Sequence, residues 1–174
     1  MNYQIVDNFL PEENLKALQE QFIWNPKAKW NMIKKVAGGE TDIDTQSEEP
    51  WYWYASNCIW DVREIMDESW DVIDKNLIQP MIQKGIINQL TRAKANFYPS
   101  WHELKEHAPH FDYDFYNIAC VYSLNTCDGF TRLGQDTTVP SVENRAILFD
   151  GTKLHNSSNC TTSSGRFNIN LNFI

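Results

Sequence analysis

Positive charge is scarce in this sequence. Fifteen Lys and Arg stand against 23 Asp and Glu, a formal net charge of −8. A phosphate backbone is held by clustered Lys and Arg, so the balance disfavours a nucleic-acid binder while leaving a local basic pocket open. Long apolar runs are missing as well. No window of 18 residues is apolar throughout, so no membrane-spanning helix is predicted. The opening "MNYQIVDNFLPEENL" has neither the basic start nor the apolar stretch of a signal peptide. Cysteine is sparse. Cys58, Cys120, Cys127 and Cys160 form no CxxC pair and read as reduced thiols of a cytoplasmic protein rather than a disulfide framework. There is no internal repeat and no low-complexity tract.

What is present fits a single globular domain. The chain has 174 residues, of which 42% are hydrophobic and 22% charged, enough to bury a core. "YQIVDNF" reads as a first strand. "LPEENLKALQEQF" reads as a helix, with Pro11 at its start, acidic residues in its first turn, and Leu15, Leu18 and Phe22 on one side. Residues 37–50, "AGGETDIDTQSEEP", are polar and rich in breakers, a loop suited to act as a lid. The aromatic block Trp51 to Tyr54 fits either a substrate entrance or plain core. Ile65, Met66, Trp70, Ile73, Leu77 and Ile78 recur at helical spacing and predict a helix over 61–84, ended or kinked by Pro80.

From residue 86 the period changes from helix to strand. "INQLTRAKANFY" puts Ala93, Ala95 and Phe97 on one face and Lys94, Asn96 and Tyr98 on the other. "NIACVYSLNT" and "RAILFDG" are further strands, and Asp128-Gly129 is a hairpin signal. The last nine residues, "RFNINLNFI", alternate throughout. Phe167, Ile169, Leu171 and Phe173 share one face, and Arg166, Asn168, Asn170 and Asn172 share the other. A row of polar residues in such a strand suits the wall of a polar cavity. The expected class is α+β, mainly β: a jelly roll flanked by N-terminal helices. It forms one domain over 1–174, with helical support over about 1–85 and the β core over about 86–174.

The stretch "EHAPHFDYDFYN" carries the first chemistry. His110 and Asp112 are two residues apart, which on an extended chain places both on one face. On that spacing alone, a surface histidine paired with an acid is the plainer reading. His155, in "FDGTKLHNSSN" after a strand, supplies a third partner. Two histidines and a carboxylate on one side of a metal leave adjacent positions open, as non-haem Fe(II) requires. Arg166 opens the final strand on its polar face, where a guanidinium can pair bidentately with a ligand carboxylate, or simply sit exposed at a strand end. Asn168 shares that face. His102 and His107 read as solvated loop residues, and Glu48-Glu49 as a solvated acidic run.

The segments "HFD", "VYSLNTCDGFTRL", "NRAILFDGTKLH" and "GRFNINLNF", in this order, resemble the Fe(II)/2-oxoglutarate-dependent dioxygenases, nearest their prolyl 4-hydroxylase-like branch. The resemblance runs from about residue 92 to the end and is weaker before it. It implies a double-stranded β-helix in which His110, Asp112 and His155 bind Fe(II) and Arg166 holds the far carboxylate of 2-oxoglutarate. It implies a co-substrate contact for Tyr98, which is otherwise a half-buried strand tyrosine. Ser123 departs from the pattern, standing where relatives often have a tyrosine, so part of the clamp is lost or falls to Tyr98 or Asn168. With Asp112 present the implied outcome is hydroxylation, with succinate and CO2 released and ascorbate as a candidate accessory reductant. The implied partners are O2 and a peptidyl-prolyl substrate, with a free amino acid or small metabolite as the alternative. A metal-binding jelly roll without turnover and a nucleic-acid demethylase are the competing readings. Neither nucleic acid nor membrane is an expected partner.

Overall fold

The computed structural model describes residues 2–34 and 52–174. The polar loop at 37–50, with its lid reading and Glu48-Glu49, lies outside the described residues, as does Trp51.

Eleven strands are described. They are β1 (Tyr3–Val6), β2 (Asn31–Ile33), β3 (Tyr54–Asp61), β4 (Glu64–Ile65), β5 (Leu90–Pro99), β6 (Ile118–Ser123), β7 (Phe130–Leu133), β8 (Thr137–Pro140), β9 (Arg145–Asp150), β10 (His155–Ser157) and β11 (Gly165–Phe173). The large sheet has the order β1-β9-β6-β11-β5-β3-β2, with β4 paired to β3. The small sheet has the order β10-β7-β8. The named strand pairs are antiparallel. This is the two-sheet jelly roll expected from the strand pattern.

Alternation along the strands explains the layers. Ala93, Ala95, Cys120, Tyr122, Ala146, Ile169, Leu171 and Phe173 face the helices, where they join Leu15, Leu18, Phe22, Ile73, Leu77 and Met81 in the main core. The opposite face of the large sheet meets the small sheet. On the β6–β9 side that inner face is apolar, with Ala119, Val121, Ile147 and Phe149 packed against Leu133 and Val139. On the β5–β11 side it is polar, and a cavity opens there.

The first helix is α1 (Glu12–Gln19), continued by a π-helical turn over Glu20–Trp24. The region 61–84 departs from expectation. β3 starts at Tyr54, the last residue of the aromatic block, runs to Asp61 and turns through Val62 and Arg63 into β4, so Ile65 and Met66 lie exposed on a hairpin. Both turn residues have positive φ, 40° and 76°. Such two-residue turns are usually marked by Asn-Gly or Asp-Gly, and Val-Arg conceals this one. Helix begins only at α2 (Trp70–Ile73), passes through a π-helical turn at Asp74–Ile78, and ends as α3 (Gln79–Gln83). Pro80 does not end it. A proline has no N–H for the carbonyl four residues earlier, and that carbonyl, on Asn76, accepts instead from Asn14 Nδ2 at 3.2 Å.

The N-terminal 85 residues are therefore not a helical support alone, since β1 to β4 extend the large sheet at both edges. Asp128-Gly129 does not form a hairpin either. It lies in the crossover from β6 to β7, where the Asp128 carboxylate accepts from Thr161 and Thr162. The β7–β8 hairpin turns instead at Gly134, whose φ of 65° suits glycine.

Candidate active site

His110 and Asp112 lie on a segment outside the named strands. His110 pairs with His155 through two backbone hydrogen bonds, His110 N–H to His155 O at 2.9 Å and His155 N–H to His110 O at 2.8 Å. Asp112 N–H donates to Gly151 O at 3.0 Å. This segment edges β10, so His155 begins a short strand rather than lying in a loop. The pairing also sets the two imidazoles side by side, with ring centroids 4.5 Å apart.

One donor atom from each of His110, Asp112 and His155 falls within 4.8 Å of the other two. The His155 Nε2 to Asp112 Oδ2 distance is 3.7 Å. Ligands about 2.1 Å from one ion and at right angles lie about 3 Å apart, so small side-chain adjustments bring the three onto a common ion. Their surroundings suit that task. His155 Nδ1 meets Lys153 O at 2.9 Å, which fixes that nitrogen as the N–H and leaves Nε2 its lone pair. Burial, then His155 nearby, pushes the His110 pKa down to about 4, so the ring is a neutral donor at pH 7. Asp112 Oδ1 accepts from Arg92 at 2.7 Å and Oδ2 from Asn172 at 2.9 Å. Burial would raise its carboxyl, but Arg92, His155, Asn172 and His110 together hold it below the ordinary carboxylate range.

These residues form one wall of a cavity of about 210 Å³ between the sheets. The polar faces of β5 and β11 form another. Arg166, Asn168 and Asn170 line it together with Lys94 and Tyr98, as the alternation of the two strands requires. Asn172, next in the row, reaches Asp112 instead.

Arg166 is 1% exposed. Its guanidinium lies 5.5 Å from the centre of the Tyr98 ring and donates to Thr131 Oγ1 at 2.7 Å and Ser158 O at 3.3 Å. Among the described residues its Nε has no partner and the guanidinium has no carboxylate. Burial lowers its pKa from the usual guanidinium value.

Tyr98 is buried at the cavity wall, stacked between Tyr54 and His107 at 5.5 and 5.2 Å. Asn168 Oδ1 accepts from Asn96 at 3.2 Å. Ser123 is buried beside Asn168 in the sheet, its hydroxyl 3.3 Å from that of Ser141, and is not among the cavity-lining residues. His102 is exposed, as expected. His107 is not a solvated loop residue: it is 2% exposed, and its Nδ1 lies 2.8 Å from Ser157 Oγ. The aromatic block divides, with Tyr54 lining the cavity and Tyr52 buried.

The residues that sequence reasoning missed are those that serve the named ones. Arg92 and Asn172 hold Asp112, and Thr131 meets Arg166. Lys94 lines the cavity, where burial and then Arg92 pull its pKa down to about 8. Arg92 and Lys94 share a strand face with Tyr98, which was a readable signal. Thr131 carried none.

No family model and no curated relative matches this chain. Solved structures do. A prolyl hydroxylase from Trichoplax adhaerens, in complex with a hypoxia inducible factor oxygen degradation domain peptide fragment, is 15% identical over 99% of this chain and 83% of its own, with a TM-score of 0.64. A prolyl-4-hydroxylase from Pseudomonas putida is 15% identical over 98% of this chain and 91% of its own, with a TM-score of 0.60. A 2OG-Fe(II) oxygenase family oxidoreductase from Burkholderia pseudomallei is 8% identical over 98% and 84%, with a TM-score of 0.67. The fold is that of the 2OG-Fe(II) oxygenases. The likeness spans nearly the whole chain, including the N-terminal part whose sequence resemblance is weak.

Proposed function

We propose that this protein is an Fe(II)- and 2-oxoglutarate-dependent oxygenase that hydroxylates a C–H bond. The observation that carries the reading is Arg166. A buried guanidinium without a carboxylate is unfavourable unless a ligand supplies one, and this one shares a cavity with a His-Asp-His donor set.

His110, Asp112 and His155 would hold the ferrous ion, two neutral nitrogens and one carboxylate being the set that leaves adjacent positions open on such a metal. When bound, that ion supplies the activation of O2, with 2-oxoglutarate as the co-reductant that leaves as succinate and CO2. The chain's own part is placement. Arg166 binds the far carboxylate of the co-substrate, and Thr131 and Tyr98 hold the guanidinium in position. Arg92 and Asn172 orient Asp112, and Lys153 O keeps the His155 tautomer. The two sheets exclude bulk water on either side. Asn168 lies between the Arg166 and Asp112 ends of the cavity and is suited to a hydrogen bond with the co-substrate.

The finer reading is that the carbon hydroxylated belongs to a peptidyl-prolyl residue. Two structural neighbours being prolyl hydroxylases supports it, and one of them holds a peptide. The test incubates the protein with Fe(II), 2-oxoglutarate and O2, with and without ascorbate, against proline-containing peptides and free amino acids. Succinate and a gain of one oxygen in the substrate are measured. Succinate that requires Fe(II) supports the oxygenase reading. Turnover with amino acids alone overturns the peptidyl one. No 2-oxoglutarate binding by Mn(II)-loaded protein overturns both.

A further inference from the structure

The chain is acidic overall, yet its cavity is not. Among the described residues, the lining holds Arg92, Lys94 and Arg166 against a single carboxylate, Asp112, a surplus of two positive charges in a protein of net charge −8. A ferrous ion and a 2-oxoglutarate dianion carry equal and opposite charges, so seating both leaves that surplus unchanged. Arg92 is bonded to Asp112, and Arg166 is suited to the far carboxylate of the co-substrate. Lys94 has neither. Among the described residues it makes no ion pair.

Its backbone position on the sheet differs from that of the co-substrate clamp. Lys94 lies four residues before Tyr98 on β5, about 13 Å along the strand, and Tyr98 is paired with Arg166. The Lys94 Nζ lies 5.8 Å from the centre of the Tyr54 ring, on β3, whereas Arg166, on β11, lies over the Tyr98 ring. Phe111, 55% exposed, also lines the cavity. An ammonium without a carboxylate partner, in a cavity that also carries an exposed aromatic ring, suits a molecule with an anionic end and an apolar body.

We propose that the substrate oxidised here carries a carboxylate and that Lys94 receives it. The inference rests on the oxygenase reading and names the class of its second substrate. The carboxylate belongs either to a free carboxylic or amino acid, or to an acidic side chain beside the target in a peptide.

The test is calorimetric, on Mn(II)-loaded full-length protein with 2-oxoglutarate present. One arm titrates a panel of free acids against their primary amides, L-proline against L-prolinamide among them. The other titrates end-blocked peptides with Pro-Asp against Pro-Asn. The expected result is an acid that binds about tenfold more tightly than its amide, a preference lost in Lys94→Met and largely kept in Lys94→Arg, as an ion pair predicts. The arm that shows the preference identifies the source. The proposal is overturned if no acid outbinds its amide in either arm. It is equally overturned if Lys94→Met lowers 2-oxoglutarate affinity as much as Arg166→Ala does, which would place Lys94 in the co-substrate clamp. The oxygenase reading fails separately, by absent 2-oxoglutarate binding, and the acid–amide comparison still runs with the metal alone.

Discussion

At the scale of single residues, burial acts on two titratable groups of the site, and each makes a prediction. Arg166 is a buried cation without an internal anion. Arg166→Ala is expected to lower 2-oxoglutarate affinity by roughly 2–5 kcal/mol while Mn(II) affinity changes little, read by titrating each ligand separately. Arg166→Lys keeps the charge but loses the fork, and should recover only part of the loss. His110 is the second group. Its pKa falls to about 4 in the folded chain, mainly through burial, against about 6.5 unfolded. Between those values the unfolded chain binds the extra proton. The stability from neutral His110 is therefore complete above about pH 6.5 and is lost as pH falls toward 4, by up to about 3 kcal/mol. Urea unfolding of metal-free protein at pH 7 and pH 4.5 should show the decline, and His110→Asn should flatten it. An unchanged slope in that variant would remove His110 as the cause.

Among the elements, the β6–β7 crossover matters most for the site. It delivers Thr131 to Arg166 and passes close beneath that side chain. A Cβ on Gly129 would lie 2.5 Å from Asn159 O and 2.9 Å from Arg166 Cδ. The first neighbour is backbone and cannot rotate aside. Gly129→Ala is thus expected to destabilise the fold and also to weaken 2-oxoglutarate binding through displaced Arg166. Differential scanning fluorimetry with and without 2-oxoglutarate measures both effects. A variant with lowered melting temperature and a full ligand-induced shift would show that Arg166 tolerates the movement.

For the whole molecule, the main core is shared between the two halves of the sequence. Leu18, Phe22, Ile59, Leu77 and Met81 from the first half close on Ala93, Cys120, Ile169 and Leu171 from the second. The β strands from residue 86 onward therefore have a bare apolar face without the helices. Residues 86–174 alone are expected to show no cooperative unfolding transition, whereas the full chain unfolds in one step. A sharp transition for the fragment would make the jelly roll an independent unit.

Strand alternation was legible because a two-residue period needs no tertiary information. "RFNINLNFI" by itself assigned Ile169 and Leu171 to a core and Arg166 to Asn172 to a polar wall, and "HFD" by itself put a histidine and a carboxylate on one side of an extended chain. The Val62-Arg63 turn was not legible, since its positive φ values are imposed by the pairing of β3 with β4 against the preference of both residues. The burial of His107 was hidden too, because it depends on Tyr98 and Ser157, which lie nine and fifty residues away in sequence. The partners of each site residue belong to the same class. Arg92, Asn172 and Thr131 come to Asp112 and Arg166 only when two sheets close on each other. The sequence determined which residue types could bind a metal and a carboxylate. Packing decided which of them share one cavity, and left Arg166 and Lys94 there without an anion among the described residues, because burial distance and charge balance are properties of the assembled sheets.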